Sequence, residues 1–433
     1  MADRRFLEPD METAPRRAIV EWQQKQVVEL VEYAWENSPF YRAHWSAAGI
    51  DPSHVQSLED FVTKVPSFGK DHLAEYRRRT GDAFAGLLCV DVGELTSITS
   101  TSGTTSVAEL IPEIWDVAPP LPTISARDLW ELGLRPGDKV MVPTGTFRNY
   151  WDDFYHALGL IPVFVDSWLG SGEHLLKAIE QHQIAYLLLL LPTVLELESL
   201  ETKYDLRTML SSLKGAAFAG QPLGDHLTRK IRNEWGVNLF IYTSAGDTGT
   251  AWEGREHNGF QLWEDTIFPE VIDPDTGASV ADGEVGELVS TDLDNRAAPY
   301  IRFESGDLVR LSRAPSSSGR THARMWCVGR KGETLVIGGK GVGLADIWRQ
   351  VEALPECSDA LFQVVRHNAE SDYLRLRIGY EPERTGDVGE LDRRARDFLA
   401  QQLGVRVETE MITVDQILRS SSSVAKFPRV VKQ

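Results

Sequence analysis

The 433-residue chain contains little cysteine. Its three cysteines, Cys89, Cys327 and Cys357, lie far apart, and no two of them form a Cys-x-x-Cys pair. This spacing argues against a disulfide framework and against a zinc site built from cysteines. Because few, scattered cysteines are typical of proteins in a reducing compartment, we expect a cytoplasmic location.

The chain also lacks an excess of positive charge and a long apolar run. Its 45 Lys and Arg side chains stand against 64 Asp and Glu, a formal net charge of -19, which argues against an extended surface for nucleic acid or anionic lipid. The longest apolar run, from Ile184 to Leu191, is far too short to span a bilayer. The charged start, Met1 to Asp10, is not followed by the apolar core of a signal peptide. We therefore expect no nucleic-acid partner and no membrane insertion.

What the chain does contain is typical of a globular protein. Apolar residues make up 42% and charged residues 25% of the chain, which is enough apolar material for a large core and for more than one domain. Between Arg17 and Asn37, apolar residues recur at three- and four-residue spacings, Ile19 and Val20 among them, and Pro39 follows. This pattern predicts a helix with one buried stripe.

The central region alternates short apolar runs with segments of helical pattern, which predicts parallel β-strands buried on both faces and separated by helices. Ligands are expected at the carboxyl ends of such strands. The predicted strands are Lys139 to Pro143, Leu160 to Val165, Ile184 to Leu191, Gly215 to Phe218 and Val237 to Tyr242. The predicted helices between the last three strands are Gly172 to Gln181 and Asp225 to Glu234.

Beyond Ile272 the pattern changes to turns and short alternating segments, which predict a small antiparallel barrel or sheet. From residue 331 onward the chain carries 15 basic and 16 acidic side chains, whereas the first 330 residues carry a net charge of -18. We therefore place a domain boundary near Arg330, with domains of 1–330 and 331–433. The last hundred residues predict strand, strand, helix and strand. The expected fold class is α/β, with mainly parallel sheets and a small β-barrel part in the large N-terminal domain and an α+β C-terminal domain.

One loop is rich in hydroxyl groups. The segment Ser100 to Ser106 follows a strand-like stretch and contains a single glycine, Gly103. Its backbone N–H groups and hydroxyls can surround phosphate oxygens, although such clusters are also common in plain polar loops. No Gly-Lys-Ser/Thr follows, and Gly339-Lys340 lacks the upstream glycine that a phosphate loop of the Walker type requires.

Two further segments place polar groups after predicted strands. Tyr242 ends a buried strand and is followed by small residues and by Asp247, an arrangement suited to an adenine base and a metal ion. The same residues also fit a simple turn between strands. Asp307, which follows Gly306, can accept hydrogen bonds from two ribose hydroxyls or serve only as a turn residue.

Three other sets of residues allow both a chemical and a plain structural interpretation. Lys426 lies close to the C-terminus, where a cation can stabilise charge on a phosphoryl group or simply be solvated. Asp152 and Asp153 can pair as acid and base or lie in a solvated turn. The histidines show no metal-ligand spacing, and His257 suits packing within its turn.

Taken in chain order, these segments resemble the adenylate-forming acyl-CoA synthetase superfamily, most closely its phenylacetate-CoA ligase branch. The resemblance covers almost the whole chain. Besides the loop Thr101 to Thr105 and the terminal Lys426, the matching segments are Tyr33 to Tyr41, Trp263 to Asp265, Glu270 to Gly277, Gly286 to Val289, Pro299 to Phe303, Gly306-Asp307 and Gly329-Arg330.

The resemblance implies an enzyme that uses ATP and Mg2+, with CoA as co-substrate, and works in two steps. A carboxylate attacks the α-phosphate of ATP to give an acyl-adenylate and pyrophosphate, and a thiol then displaces AMP. The small C-terminal domain is mobile in this family and rotates between the two steps.

The resemblance also implies a role for each matched residue. Thr104 and Lys426 would be catalytic, with Lys426 bridging the carboxylate and the α-phosphate; Tyr242 would stack on adenine and Asp307 would bind the ribose. The nucleotide-binding residues would be Ser102, Gly103, Thr104, Thr105, Gly220, Gln221, Pro222, Tyr242, Thr243, Asp247, Asp307 and Arg330. The acyl group would contact Tyr150, Phe154, Ala219, Ser244 and Ala245, of which Tyr150 and Phe154 suit core packing equally well. Lys331 and Gly332 would form the hinge, and Asp247 would hold the metal.

The chain departs from the family pattern at five places. Ser106 follows the phosphate loop where a Gly and often a Lys are usual, and Gly246 stands where a Glu helps to hold magnesium, which leaves Asp247 as the nearest substitute. Gly332 replaces the usual hinge Asp or Lys. Gly254 replaces a cysteine that some relatives carry, which is consistent with no zinc. The run Gly338 to Gly341 replaces an Arg-Gly turn near the CoA channel.

Three functions follow from this pattern. The first is an acid:CoA ligase that acts on an aromatic or similarly compact carboxylic acid. The second keeps the adenylation step but passes the acyl group to an amine acceptor, a reading that the altered turn at Gly338 motivates. The third is a nucleotide- or acyl-binding protein without catalysis. The partners are thus a small carboxylic acid and either CoA or an amine, and the oligomeric state stays open, with a homodimer among the options.

Overall fold

The computed structural model describes residues 4–100, 109–114, 126–143, 152–165, 170–366, 370–419 and 427–432. These residues form two compact units. Unit 1 comprises Met1–Arg135, Asp152–Gly159 and Tyr242–Val328, and unit 2 comprises Pro136–Trp151, Leu160–Ile241 and Gly329–Gln433. Among the described helices, none combines the length and the hydropathy that crossing a bilayer requires.

The helices and strands are numbered in chain order. The helices are α1 (Pro9–Glu12), α2 (Arg16–Asn37), α3 (Pro39–Ala47), α4 (Leu58–Lys64), α5 (Lys70–Thr80), α6 (Ala126–Glu131), α7 (Asp152–Ala157), α8 (Gly172–His182), α9 (Leu191–Ser199), α10 (Leu206–Met209), α11 (Asp225–Arg229), α12 (Leu344–Glu352), α13 (Val388–Leu403) and α14 (Val414–Arg419). The strands are β1 (Ser97–Ser100), β2 (Leu110–Glu113), β3 (Lys139–Pro143), β4 (Ile161–Val165), β5 (Tyr186–Leu189), β6 (Gly215–Phe218), β7 (Leu239–Ser244), β8 (Thr250–Glu253), β9 (Phe260–Gln261), β10 (Ile267–Ile272), β11 (Val285–Asp292), β12 (Phe303–Ser312), β13 (Arg324–Arg330), β14 (Leu335–Ile337), β15 (Lys340–Val342), β16 (Phe362–Arg366), β17 (Glu370–Ser371), β18 (Leu374–Tyr380), β19 (Val407–Thr413) and β20 (Val430–Lys432).

Unit 2 contains the predicted parallel sheet, with strand order β7-β6-β5-β3-β4 and parallel pairing between neighbours. Every residue of β5 and β6 is buried, as expected for strands covered on both faces by helices. The apolar run Ile184 to Leu191 does not form one strand, because Pro192 lies in the first turn of α9. Proline suits that position, where its missing N–H costs no hydrogen bond.

Unit 1 contains antiparallel strands in the order β10-β11-β12-β13-β9-β8, followed by the end of β7. The loop that joins β7 to β8 lies against β11 and β12, since the Ser290 Oγ–H donates to the Gly246 carbonyl over 3.5 Å. Strands that are distant in the sheet order therefore meet, as in the predicted barrel. The expected mixed α/β fold, with a mainly parallel sheet and a separate small sheet near the C-terminus, is confirmed.

The C-terminal part of unit 2 contains a four-stranded sheet with the order β19-β18-β16-β20. Strands β16, β18 and β19 and helix α13 correspond to the predicted strand, strand, helix and strand. The apolar residues Leu361, Ile417 and Phe427 join the core of the parallel-sheet region, so both parts fall within one compact unit. The domain boundary at residue 330 stays a prediction.

Helix α2 confirms the predicted helix, and its buried stripe includes Ile19, Val27 and Leu30. The predicted burial of Val20 is wrong, because 38% of this residue is exposed. Val20 directly follows Ile19, and adjacent residues on a helix point about 100° apart, so one narrow stripe does not bury both.

Unit 1 also buries a network of charged side chains that the sequence does not reveal. Its ion pairs are Arg16–Glu264, Arg127–Glu8, Arg127–Asp265, Arg320–Glu12 and Arg320–Glu131. Within it, Asp128 is 4% exposed and accepts a hydrogen bond from Trp263 Nε1 at 3.2 Å. Burial raises the pKa of Asp128 to about 8, against the opposing effect of the Trp263 hydrogen bond and of Arg320.

We expect Asp128→Asn to flatten the dependence of stability on pH. Because the pKa of Asp128 is raised on folding, its contribution is fully present below its ordinary pKa and is lost as pH rises through about 8. Asparagine resembles the protonated acid and cannot ionise. Between pH 5 and pH 9 the wild type should therefore lose on the order of 3 kcal/mol more unfolding free energy than the variant. Urea unfolding across this range measures the difference, and parallel curves for the two proteins would contradict the assignment.

Candidate active site

The end of strand β7 presents Tyr242 on the antiparallel sheet of unit 1. Tyr242 lies opposite Trp252 of β8, and the two rings stack with centroids 4.8 Å apart and planes 23° apart. Trp252 is 1% exposed and therefore fixed by its surroundings, whereas Tyr242 is half-buried. The cross-strand pair thus holds the plane of the tyrosine ring.

The tip of the β7–β8 hairpin explains why the chain departs from the family pattern at Gly246. Gly246 has a φ of 69°, a left-handed conformation that side chains disfavour. A Cβ atom on this residue would lie 2.6 Å from Ser290 Oγ and 3.1 Å from Ser305 Cβ. The hairpin therefore has no room for a glutamate at residue 246.

The neighbouring Asp247 is paired with a lysine. Its carboxylate Oδ2 lies 3.0 Å from Lys70 Nζ, at the start of α5, and its backbone N–H donates to Ser244 Oγ at 2.9 Å. With a lysine against Asp247 and a glycine at 246, the described residues do not fit a magnesium ion held by this loop. No sequence pattern singles out Lys70, which is 177 positions before Asp247 in the chain.

Two groups from distant parts of the chain interact near Thr243, the residue that follows Tyr242. The thiol of Cys327 on β13 forms a hydrogen bond with Thr243, and the Asp307 carboxylate of β12 acts on the same thiol. Although the Cys327 residue is exposed, desolvation by the surrounding protein and then the charge of Asp307 raise the pKa of its thiol to about 11. The predicted adenine residue, its neighbour Thr243 and the predicted ribose residue are thus brought to one region of unit 1. Ser244 ends β7 and Ala245 is buried beside it.

In unit 2 the turn Ala219 to Pro222 follows β6, at the carboxyl end of a parallel strand. Ala219 is buried, and its N–H donates to the Leu189 carbonyl. The side chain of Gln221 accepts a hydrogen bond at 3.0 Å from the N–H of Phe427. Phe427 is the residue after Lys426 in the sequence, so the chain next to the predicted catalytic lysine is fastened to the predicted nucleotide turn.

Two glycine turns account for further departures. Gly338 and Gly339 have φ values of 55° and 79° and form the two-residue loop between β14 and β15, a turn that strongly favours glycine. Arg330 ends β13 and accepts a backbone hydrogen bond from Glu333, which closes a turn over the predicted hinge residues Lys331 and Gly332. The glycines at 338 and 339 are thus explained by hairpin geometry.

Several predicted site residues lie outside the described residues, namely Ser102, Gly103, Thr104, Thr105, Tyr150 and Lys426. Phe154 belongs to helix α7, as do Asp152 and Asp153. His257 Nδ1 lies 3.5 Å from Glu253 Oε2, four residues earlier in the sequence, which agrees with packing within its own turn.

Comparison with known proteins finds relatives that are similar to this chain over most of its length. It is 28% identical over 380 residues to a phenylacetate-coenzyme A ligase of Thermus thermophilus, with 86% of this chain and 83% of the relative covered. It is 28% identical over 414 residues to a phenylacetate-coenzyme A ligase of Pseudomonas putida, with 94% and 91% covered. No family model matches the chain.

The solved structures agree in fold. A 2-hydroxyisobutyryl-CoA ligase in the postadenylation state, in complex with 2-HIB-AMP, matches with a TM-score of 0.85 and 24% identity over 100% of this chain and 93% of that one. Over most of its length the chain thus resembles the phenylacetate-CoA ligase branch of the adenylate-forming acyl-CoA synthetases. The predicted resemblance and the predicted enzyme class, an AMP-forming carboxylate ligase, are confirmed.

Proposed function

We propose that the chain activates an aromatic or similarly compact carboxylic acid as an acyl-adenylate and transfers the acyl group to CoA. The observation that carries the proposal is the gathering of Tyr242, Thr243 and Asp307 in unit 1, where an adenosine has a ring to stack on and a carboxylate for its ribose. The relatives named phenylacetate-coenzyme A ligases support this function.

In the first step a carboxylate oxygen attacks the α-phosphorus of ATP, and pyrophosphate leaves with the electrons of the broken P–O bond. Lys426 carries a positive charge that offsets the charge developing on the α-phosphate and the incoming carboxylate. Asp307 accepts hydrogen bonds from the ribose hydroxyls and so fixes the position of the α-phosphate relative to the acid. Ser102 to Thr105 offer hydroxyls and backbone N–H groups to the phosphates.

In the second step the sulfur of CoA attacks the acyl carbon, and AMP leaves as the thiol loses its proton. An adenylate is a good leaving group, so this step needs positioning of the thiol more than further activation. Magnesium belongs to the ATP substrate in this scheme, because the pairing of Asp247 with Lys70 leaves the β7–β8 loop without a suitable ligand.

CoA is a better acceptor than an amine in this proposal. The amine alternative was motivated by the altered turn at Gly338 to Gly341, but the first two of these glycines are explained by the two-residue loop between β14 and β15. A solved 2-hydroxyisobutyryl-CoA ligase in complex with 2-HIB-AMP and CoA is 25% identical and covers 100% of this chain, with a TM-score of 0.69. No specific feature of this chain favours a second function.

The proposal is tested by incubating the protein with MgATP and a panel of aryl and short acyl carboxylic acids, with and without CoA. Acid-dependent release of AMP and pyrophosphate, together with an acyl-CoA identified by mass spectrometry, is the expected result. If an acyl-adenylate accumulates that does not react with CoA but does react with amines, the acceptor is an amine and not CoA. If no acid in a broad panel causes release of AMP and pyrophosphate, the proposed adenylation is contradicted.

Replacing Asp307 should chiefly weaken nucleotide binding. Asp307→Ala removes an ionised acceptor for the ribose hydroxyls, and each hydrogen bond to a charged group contributes about 1.5–3 kcal/mol. We expect ATP affinity to fall by about 10- to 100-fold, measured by calorimetry with a non-hydrolysable ATP analogue. Asp282→Ala is the matched control, since that carboxylate is exposed and serves Ser312 and Arg313 in the same unit. An unchanged affinity for ATP in Asp307→Ala would remove Asp307 from the ribose site.

A further inference from the structure

Three side chains capable of binding a metal ion converge in unit 2, and none of them belongs to the candidate active site. Glu198 comes from α9, His226 from α11, and Asp359 from the segment between the 3-10 turn Pro355–Cys357 and β16. One ligand atom of each lies within 4.8 Å of the other two, and His226 Nε2 is 4.0 Å from Asp359 Oδ1. One nitrogen and two carboxylate groups therefore face one point.

Two of the three groups facing this point, Asp359 and His226, have side-chain atoms here that form no hydrogen bond with an N–H group among the described residues. The Asp359 side chain is 3% exposed, and neither of its oxygens accepts a hydrogen bond from an N–H among the described residues. His226 Nε2 is likewise buried and without a partner in the same part of the structure. A buried carboxylate that is left unpaired is costly, so this aspartate needs a cation or a proton.

The lysine and arginine side chains near this point pair with Glu198 and not with Asp359. Lys230 Nζ lies 2.8 Å from Glu198 Oε1, and Arg384 Nη2 lies 3.1 Å from the same oxygen. Lys230 also pairs with Glu201 at 2.8 Å. A further carboxyl group, that of Glu381, adjoins Asp359 within hydrogen-bonding reach. Carboxyl groups therefore outnumber lysines and arginines here, and the excess lies at Asp359.

We propose that Glu198, His226 and Asp359 form a binding site for a divalent transition-metal ion such as zinc. One imidazole nitrogen with carboxylate oxygens is a donor set that zinc uses in proteins, with metal–ligand distances of about 2.0–2.2 Å. Such distances place neighbouring ligand atoms about 3.4 Å apart, so the three side chains must draw together by about 1 Å. The ion would neutralise the excess negative charge and supply the partner that Asp359 lacks.

Binding of the ion would also link two parts of unit 2. Glu198 and His226 belong to helices of the parallel-sheet region, whereas Asp359 belongs to the C-terminal part that begins at Gly329. A ligand that binds the folded state alone raises its stability in proportion to the logarithm of ligand concentration. We therefore expect zinc to raise the unfolding temperature of the metal-free protein without ATP, acid or CoA present.

The test uses the full-length, untagged protein after removal of metals with a chelator. Zinc is titrated by calorimetry, and cobalt(II) is titrated in parallel because its visible absorption reports the ligands and the geometry. We expect one equivalent of each ion to bind, with a dissociation constant in the micromolar range or below. His226→Gln and Asp359→Asn should each weaken binding by about 100-fold or more and remove the cobalt absorption.

The control variant is His257→Gln, because His257 also lies near a carboxylate, Glu253, at 3.5 Å, and no third ligand is grouped with this pair among the described residues. It should bind zinc as the wild type does. Asp359→Asn also removes the need for a buried counter-charge, so this variant should fold as well as the wild type in the absence of metal. The proposal is overturned if neither ion binds saturably, or if binding survives in both ligand variants. If neither ion binds, the charge of Asp359 would instead be neutralised by a proton that it shares with Glu381.

Discussion

Lys426→Ala should lower the rate of adenylate formation by a hundredfold or more. The lysine ammonium is proposed to offset the charge that develops as the carboxylate attacks the α-phosphate, and loss of such a group costs on the order of 3 kcal/mol of transition-state stabilisation. The hydrogen bond between Gln221 and the N–H of Phe427 fastens the adjoining residue of the chain to the turn after β6. ATP binding should stay nearly unchanged, because the charge appears mainly in the transition state. Acid-dependent exchange of pyrophosphate into ATP measures the adenylation step alone.

The second half-reaction separates a role in adenylation from general damage to the protein. Lys426→Ala supplied with a chemically prepared acyl-adenylate should still form acyl-CoA at close to the wild-type rate. Lys432→Ala removes another lysine from the same C-terminal stretch and should leave both steps intact. Adenylation by Lys426→Ala at the parental rate would show that the C-terminal residues are aligned with the family wrongly.

Much of the fold could be predicted because its local patterns agree with its tertiary contacts. The strands Lys139 to Pro143 and Gly215 to Phe218 were predicted at their observed bounds, since each is a short and mostly apolar run that the sequence alone delimits. The strand predicted from Ile184 to Leu191 was too long, because in eight consecutive apolar residues no change of pattern marks where the strand ends and the helix begins. Val20 shows the same limit at the scale of one side chain: periodicity finds the buried face of α2 but not its edges.

The site was predictable where one segment carries the signal, and less so where distant segments meet. Tyr242 and Asp307 follow strands and glycines that mark ligand-binding turns. Lys70 begins an ordinary helix, and no sequence pattern around it indicates its ion pair with Asp247. The crowding around Gly246 comes from Ser290 and Ser305, which belong to other strands. Contacts of this kind arise when the antiparallel sheet closes and brings distant segments together. A local sequence pattern therefore cannot predict them.

We predict that the position of Gly246 does not tolerate any side chain. Gly246→Ala must hold alanine at a φ of 69°, which costs about 1–2 kcal/mol, and must place Cβ 2.6 Å from Ser290 Oγ, which adds about 1–3 kcal/mol of overpacking. The unfolding free energy should therefore fall by roughly 2–5 kcal/mol, measured by urea denaturation. Gly246→Glu, the family residue, should be worse still and should not create a magnesium site.

Gly277→Ala is the matched control for the backbone part of this cost. Gly277 has a φ of 71°, and a Cβ on it would meet nothing within 4 Å, so this variant should lose only about 1–2 kcal/mol. The difference between the two variants measures the contact with β11, and Ser290→Ala combined with Gly246→Ala should recover part of it. Equal losses in Gly246→Ala and Gly277→Ala would mean that the hairpin tip has space, and steric exclusion would then no longer explain the missing glutamate. A clearly larger loss in Gly246→Ala than in Gly277→Ala instead ties the absence of the family's metal ligand to the closure of the antiparallel sheet.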